Sequence, residues 1–165
     1  MWFPRGTYEI DEMLVVSNTA SLWLHKSAEL KAVRKMPYVL RYFGRQQENG
    51  GAYGKELVRD HGLYIKGGDF NGNGLASCIQ VAGLWHFTMS EMTVRNGKEA
   101  GIRLGQLGRP LKDFAACEIN IFSIYCRCDM HGLAGNVGVD IQVGDAHVTD
   151  VWVVDYTVGI RDSGW

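Results

Sequence analysis

Ile119-Asn120-Ile121-Phe122-Ser123-Ile124-Tyr125-Cys126 is the stretch that decides the fold, because its spacing of apolar residues occurs four times in the chain. Apolar residues stand at the first, third, sixth and eighth positions of the stretch. The same spacing occurs in residues 63–70, where glycine takes the sixth position, and in residues 87–94 and 146–153. Alternation with a period of two predicts β-strands, and four spaced copies predict a repeated structural unit.

A second repeat follows each copy of the first. Its members share an alternating pattern around one polar position: Ile79-Gln80-Val81, Ile102-Arg103-Leu104, Val139-Asp140-Ile141 and Ile160-Arg161-Asp162. The first repeat advances by 24, 32 and 27 residues and the second by 23, 37 and 21, so the two advance together. Each unit therefore contains at least two short strands, and equivalent strands of successive units are expected to stack ~4.8 Å apart around a shared apolar core.

The region before the repeats is expected to form two less regular units of the same kind. Apolar residues alternate there in short bursts, at Tyr8/Ile10, Leu14/Val16, Leu22/Leu24 and Ala28/Leu30. The chain has 21 glycines and 3 prolines, which indicates many tight turns. Residues 44–62 have no clear period and are predicted to be a loop insertion. Almost nothing in the chain has the pattern of an amphipathic helix, so the fold class is all-β.

Four phrases of the chain resemble the pectate-lyase-like superfamily of right-handed parallel β-helices, which includes pectate lyases, polygalacturonases and phage tailspikes. They are Trp2–Ile10, Leu22–Ala32, Gly67–Gly74 and Met92–Asn96. The resemblance implies one right-handed parallel β-helix, a solenoid, over residues 1–165, with little or no α-helix. The catalytic phrases of polygalacturonases do not occur intact, so the resemblance implies no particular reaction. The chain starts on the first phrase and stops within a coil, which predicts a fragment that is incomplete at both ends.

Composition and residue spacing argue against several other kinds of protein and of binding site. The net charge is −1 and no basic stripe occurs, so nucleic acid is not expected as a partner. No apolar run has the length of a membrane span. Cys126, Cys128 and His131 lack the spacing of common zinc sites, so these cysteines, with Cys78 and Cys117, are predicted to be free and buried. No cofactor is predicted. A loose calcium site at residues 69–73 stays an open alternative.

Residues between the interior positions of the first repeat are expected to face outward and to lie side by side across the units. Aromatic rings stack on sugar rings, and arginines bind sugar carboxylates or hydroxyls. The predicted substrate-binding residues on this surface are Asp69, Arg95, Tyr125, Arg127 and Trp152. The alternative is ordinary cross-strand packing, in which arginines cover aromatic residues.

Glu91 and Asp150 are the predicted catalytic pair. They fall in one outward column with Gly67 and Ser123, two units apart, so strand spacing separates them by roughly 9–10 Å. Inverting glycosidases hold their two carboxyl groups about 6.5–9.5 Å apart. The alternative is that both side chains merely solvate a surface strand. In a lyase, Arg95 and Arg127 would be the first candidates for the base and for neutralising a uronate.

Two further hypotheses concern other polar residues. Gln80, Arg103, Asp140 and Arg161 form one predicted outward column, which favours a surface salt-bridge ladder or, alternatively, a site for an acidic saccharide. His131, in a predicted loop, could act as a general base or could be incidental.

Together these features predict a carbohydrate-active β-helix that binds a polysaccharide and would cleave it by hydrolysis or by lyase-type elimination. The alternative is a non-enzymatic structural or receptor-binding segment of a tailspike, tail fibre or adhesin, with a homotrimer as the expected assembly. In either case the expected location is extracellular or virion-associated, although the sequence begins with no visible signal peptide.

Overall fold

A computed structural model describes residues 1–17, 20–43, 63–84, 86–105, 119–130, 132–142 and 145–163. Within these ranges all regular secondary structure is β-strand, and no helix is present. The strands are β1 (Trp2–Phe3), β2 (Gly6–Ile10), β3 (Leu14–Ser17), β4 (Leu22–Leu24), β5 (Ala28–Ala32), β6 (Tyr38–Phe43), β7 (Tyr64–Lys66), β8 (Asp69–Asn71), β9 (Ser77–Ala82), β10 (Thr88–Arg95), β11 (Ala100–Leu104), β12 (Ile119–Arg127), β13 (Val137–Ile141), β14 (Ala146–Val154) and β15 (Val158–Asp162).

All the strand pairs among the described residues are parallel and belong to two sheets. We divide them into three stacks. The first stack contains β1, β4, β7 and the N-terminal halves of β10, β12 and β14. The second contains β2, β5, β8 and the C-terminal halves of the same three long strands. The third contains β3, β6, β9, β11, β13 and β15.

Six successive chain segments each contribute to all three stacks, and we call each segment a rung. Rungs 1 to 6 run from the first-stack strand to the third-stack strand, over residues 2–17, 22–43, 64–82, 88–104, 119–141 and 146–162. Every strand therefore pairs with the equivalent strand of the neighbouring rungs. Parallel neighbours need a long connection, and here the rest of the rung supplies it.

The strand registers confirm the two predicted repeats. In the first repeat, Met89 pairs with Ile65 and with Ile121, and Ile121 pairs with Val148. In the second, Ile102 pairs with Ile79 and with Val139. The earlier alternating bursts also lie in strands, namely β2, β3, β4 and β5. The predicted loop at 44–62 lies outside the described residues.

The core lies between the stacks and is built from the inward positions of the rungs, including Leu30, Phe70 and Val94. In rungs 4 to 6 one residue in the left-handed region bends each long strand between the first and second stacks. In rung 3 two glycines do this, and Gly67 has a φ of 79°. A Cβ on Gly67 would lie 2.3 Å from the carbonyl oxygen of Leu24, so this bend requires glycine.

The outer face of the third stack corrects one prediction. Gln80, Arg103 and Asp140 do form a column with Arg161, but the first three are buried, with 2%, 3% and 0% of their surface exposed. They are therefore not a solvated surface ladder. Alternation showed which side chains turn away from the core, but it carries no information on whether that outer face is covered.

Two smaller predictions have clear outcomes. Cys78, Cys126 and Cys128 are free and buried, as predicted, and Cys117 lies outside the described residues. Burial raises the pKa of the Cys126 thiol to about 12, so this thiol stays protonated at neutral pH. The described residues include no helix with the length and apolar character that a membrane crossing demands.

Candidate functional site

The bend between the first and second stacks holds both predicted catalytic carboxylates. Glu91, Ser123 and Asp150 occupy equivalent positions there, with φ angles of 55°, 52° and 51°. Their neighbours pair across the rungs, and the three residues themselves interrupt the pairing. The sequence pattern treated them as ordinary outward strand positions. They are exposed corner residues instead, and Gly67, in the same predicted column, is buried.

Each of the two carboxylates has its own partner. A carboxylate oxygen of Glu91 lies 2.9 Å from the Lys66 ammonium. Asp150 accepts hydrogen bonds from the Ser123 hydroxyl at 3.0 Å and from the Trp152 indole N–H at 3.3 Å. Two strand spacings, roughly 9–10 Å, separate the two corners. The structure therefore places Glu91 and Asp150 in one column of corner residues, two rungs apart, and gives each a different partner.

Asp69 and Arg95, two of the predicted substrate-binding residues, are bonded to each other, and Arg95 is also bonded to Glu29. The Arg95 Nε donates to both carboxylate oxygens of Asp69, at 3.1 and 2.9 Å, and its Nη2 lies 3.0 Å from Glu29 Oε1. Burial raises the pKa of the Asp69 carboxyl, Arg95 opposes that rise, and the nearby Glu29 adds to it. These groups satisfy one another, so the cluster has little free capacity for a ligand.

Sequence reasoning missed Glu29, although it is the direct strand partner of Asp69. Residues 44–62 lie between the two strands in sequence, and the four copies of the first repeat all come after that segment. Extending the outward column backward across the gap by one rung would have found the pair. Asn71, the strand partner of Arg95, is 5% exposed and donates a hydrogen bond to Glu29 at 2.9 Å.

Tyr125, Arg127 and Trp152, the other predicted substrate-binding residues, lie on the second stack in rungs 5 and 6. Tyr125 and Trp152 are strand partners and are 38% and 66% exposed. Arg127 forms an ion pair with Asp129. This part of the predicted surface offers two free aromatic faces.

The outer face of the first stack carries an open depression of about 410 Å³, which sequence reasoning did not identify. Trp23, Lys66 and Ser90 line it in one column of strand partners, and Tyr64 and Thr88 line it in the next. We call these five residues the first-stack depression. The alternation of Tyr64 and Lys66 around the inward Ile65 could have indicated it.

The first-stack depression combines aromatic rings with hydrogen-bonding groups. Trp23 is 53% exposed and Tyr64 37% exposed, which is unusual for large aromatic residues. Trp2 packs edge-on against Trp23, with ring centroids 5.6 Å apart, so the aromatic surface extends toward rung 1. The Lys66 ammonium and the hydroxyls of Thr88 and Ser90 add charge and polarity. Ligand sites in proteins commonly have this mixture of apolar faces and a few polar groups.

The third stack carries a second polar arrangement, but a buried one. Asp140 accepts from the Nε atoms of Arg103 and Arg161, each at 2.9 Å, and Arg103 also donates to the Tyr38 hydroxyl at 2.9 Å. Burial alone would raise the pKa of the Asp140 carboxyl, but the hydrogen bonds from Arg161 and Arg103 outweigh burial and hold it below its usual range.

Residues 69–73, the alternative calcium site, are engaged in the local turn. Asn71 Oδ1 accepts from the Asn73 backbone N–H at 3.0 Å, and Asp69 is bound by Arg95. Among the described residues no group of three or more metal-binding side chains converges. His131 lies outside those residues.

The chain matches no family model, no curated protein and no solved structure.

Proposed function

We propose that the chain folds as a right-handed parallel β-helix of the pectate-lyase-like superfamily. Three parallel stacks built from successive rungs support this, since a coil that advances by one strand spacing per turn would produce that pairing. Crossover connections between parallel strands of one sheet are almost always right-handed. The sequence phrases at Trp2–Ile10 and Gly67–Gly74 support the same superfamily.

We further propose that the outer face of the first stack binds a polysaccharide, with sugar rings held in the first-stack depression. The observation that carries the proposal is the pair of exposed aromatic residues, Trp23 and Tyr64, beside the polar groups of Lys66, Thr88 and Ser90. Sugar rings have apolar faces that pack on aromatic rings and hydroxyls that need polar partners. A location outside the cell or on a virion is part of this proposal.

A matched pair of tryptophan substitutions tests this proposal. Affinity gel electrophoresis against a panel of neutral and acidic polysaccharides would show which polymer retards the full chain. We expect Trp23→Ala to weaken binding by about tenfold or more, because exposed aromatic anchors dominate such contacts. Trp152→Ala is the control, since it removes another exposed tryptophan, which lies outside the depression.

The outcomes separate two surfaces. If Trp152→Ala abolishes binding and Trp23→Ala does not, the polysaccharide binds the second stack at Tyr125, Arg127 and Trp152 instead. If no polysaccharide retards the unmodified chain, the binding proposal is wrong for both surfaces.

Cleavage of the bound polysaccharide is a second candidate function. The observation that favours it is the contact of Glu91 with Lys66, which brings a carboxylate to the edge of the depression. Glu91 and Asp150 would serve as acid and base in hydrolysis, and Arg95 and Arg127 would serve in elimination. Assays for new reducing ends and for unsaturated ends distinguish these reactions. Activity that is unchanged in both Glu91→Gln and Asp150→Asn would exclude these residues as catalysts.

A trimeric structural or receptor-binding segment is the alternative to an enzyme. The exposed aromatic residues Phe122, Tyr125 and Trp152 favour it, because a subunit interface would cover them. Sedimentation that shows a stable trimer, together with no cleavage of any glycan, would support this alternative. A monomer that still binds polysaccharide would contradict it.

A further inference from the structure

A separate cavity of about 390 Å³ lies at the turns that join the second stack to the third, in rungs 2 to 4. Backbone hydrogen bonds hold these turns against one another. The Met36 N–H donates to the Leu75 carbonyl at 3.4 Å, and the Lys98 N–H donates to the Ala76 carbonyl at 2.9 Å. The walls are therefore formed by ordered, mutually bonded backbone, and the cavity volume is within the range of small-molecule sites.

The lining of this cavity is rich in hydrogen-bond donors. Lys35 and Lys98 are both exposed and both line it, and each carries an ammonium group. The Tyr38 hydroxyl accepts from Arg103, and the Ser77 hydroxyl accepts from the Ala100 N–H at 3.3 Å. In the part of the chain that the structure describes, neither hydroxyl proton has an acceptor. Four groups can therefore donate to a ligand.

Charge at the cavity also favours an anion. Glu99 is the carboxylate in the lining, and its Oε2 lies 3.6 Å from Nη1 of the buried Arg103, which is also paired with Asp140. The two lysines then leave the cavity net positive. Met36, Pro37 and Leu75 supply an apolar wall beside these charges.

We infer that this cavity binds a small organic anion, a carboxylate attached to an apolar body. The carboxylate receives hydrogen bonds from Lys35, Lys98 and the Ser77 hydroxyl, and the apolar body packs on the Met36 and Leu75 side. This site is distinct from the first-stack depression, because the two are lined by different residues on different stacks. It does not depend on polysaccharide binding.

NMR titration of the full chain with 3-phenylpropionate tests the inference. We expect saturable shifts of the backbone amides of residues 35, 36, 38, 75–77 and 98–99. The double substitution Lys35→Gln/Lys98→Gln should weaken binding by about tenfold, because it removes both charge-assisted donors. Lys31→Gln is the matched control, since Lys31 lies on the outer face of the second stack, in the column of Asn71.

Two further probes separate charge from apolar contact. The neutral analogue 3-phenylpropanol should bind much more weakly, and acetate, which lacks the apolar body, should bind weakly as well. Equal binding of the propanol, equal loss in Lys31→Gln, or shifts centred on residues outside the cavity would each overturn the inference. Unchanged amide spectra at saturating 3-phenylpropionate would overturn it too.

Discussion

The outer faces of the second and third stacks carry similar charges in similar patterns but lie in different environments. On the second stack, Arg95 and Asp69 keep 31% and 21% of their side chains exposed. On the third stack, Arg103 and Asp140 keep 4% and 0%. Exposed ion pairs contribute little to stability, whereas breaking a buried pair strands a charge away from water. The same alternation in sequence therefore occurs on a partly exposed face in one place and on a buried, structural face in the other.

Replacing Asp140 on the third stack should cause the largest change in the free energy of unfolding. We expect Asp140→Asn to lower the free energy of unfolding by about 3–5 kcal/mol, because the buried Arg103 loses its ionic partner. Urea denaturation followed by circular dichroism measures the change. Asp150→Asn is the matched control on the exposed corner, and we expect it to change stability by less than about 1 kcal/mol. Equal losses in the two variants would show that burial does not distinguish the faces.

Two equivalent glycines of the third stack should differ, by a smaller amount, in how much an alanine substitution changes stability. Gly138 and Gly159 occupy equivalent positions of β13 and β15, but β13 is buried throughout and β15 is exposed throughout. A Cβ on Gly138 would lie 2.2 Å from Val153 Cγ1, and a Cβ on Gly159 would meet nothing within 4 Å. We expect Gly138→Ala to lower stability by about 1–3 kcal/mol through overpacking. Thermal denaturation measures it.

Gly159→Ala is the control for that substitution. We expect no loss and a gain of up to about 0.4–1 kcal/mol, because alanine restricts the unfolded chain at a position without steric conflict. A loss at Gly159 as large as that at Gly138 would mean that glycine is required by the backbone at both positions, and that crowding by Val153 is not the cause.

The alternation of apolar and polar residues shows which side chains of a strand point inward, and this limits what the sequence could predict. The apolar spacing predicted the strand registers, for example Met89 beside Ile121, because a shift by one residue would turn apolar side chains outward. It could not predict that Glu91 and Asp150 occupy left-handed corners, since a corner residue and an outward strand residue are both polar. The apolar spacing did not lead to Trp23 and Glu29, because the sequence of residues 44–62, between rungs 2 and 3, has no clear period. It could not predict the burial of Asp140, because covering a face depends on residues elsewhere in the chain.

The pH dependence of stability should show the smallest effect. Its sign should differ between the two faces, because the pKa of Asp140 is lowered and that of Asp69 is raised. The Asp140 pKa is lowered in the folded protein, so its contribution is present above the unfolded pKa and is lost as pH falls through the folded pKa. The Asp69 pKa is raised, so this carboxylate opposes folding at neutral pH, and the folded state gains stability as pH falls through its folded pKa.

Urea denaturation between neutral pH and pH 3 can measure both signs by comparing each aspartate with its asparagine variant. As pH falls, the advantage of the unmodified chain over Asp140→Asn should shrink. The stability of the unmodified chain relative to Asp69→Asn should rise, and this rise should be small because Arg95 opposes the effect of burial on the Asp69 pKa. Asp150→Asn gives the baseline for a solvated carboxylate. The two stability differences, plotted against pH, should have opposite slopes. Parallel curves for the Asp69 and Asp140 variants would contradict the opposite pKa shifts of the two carboxylates.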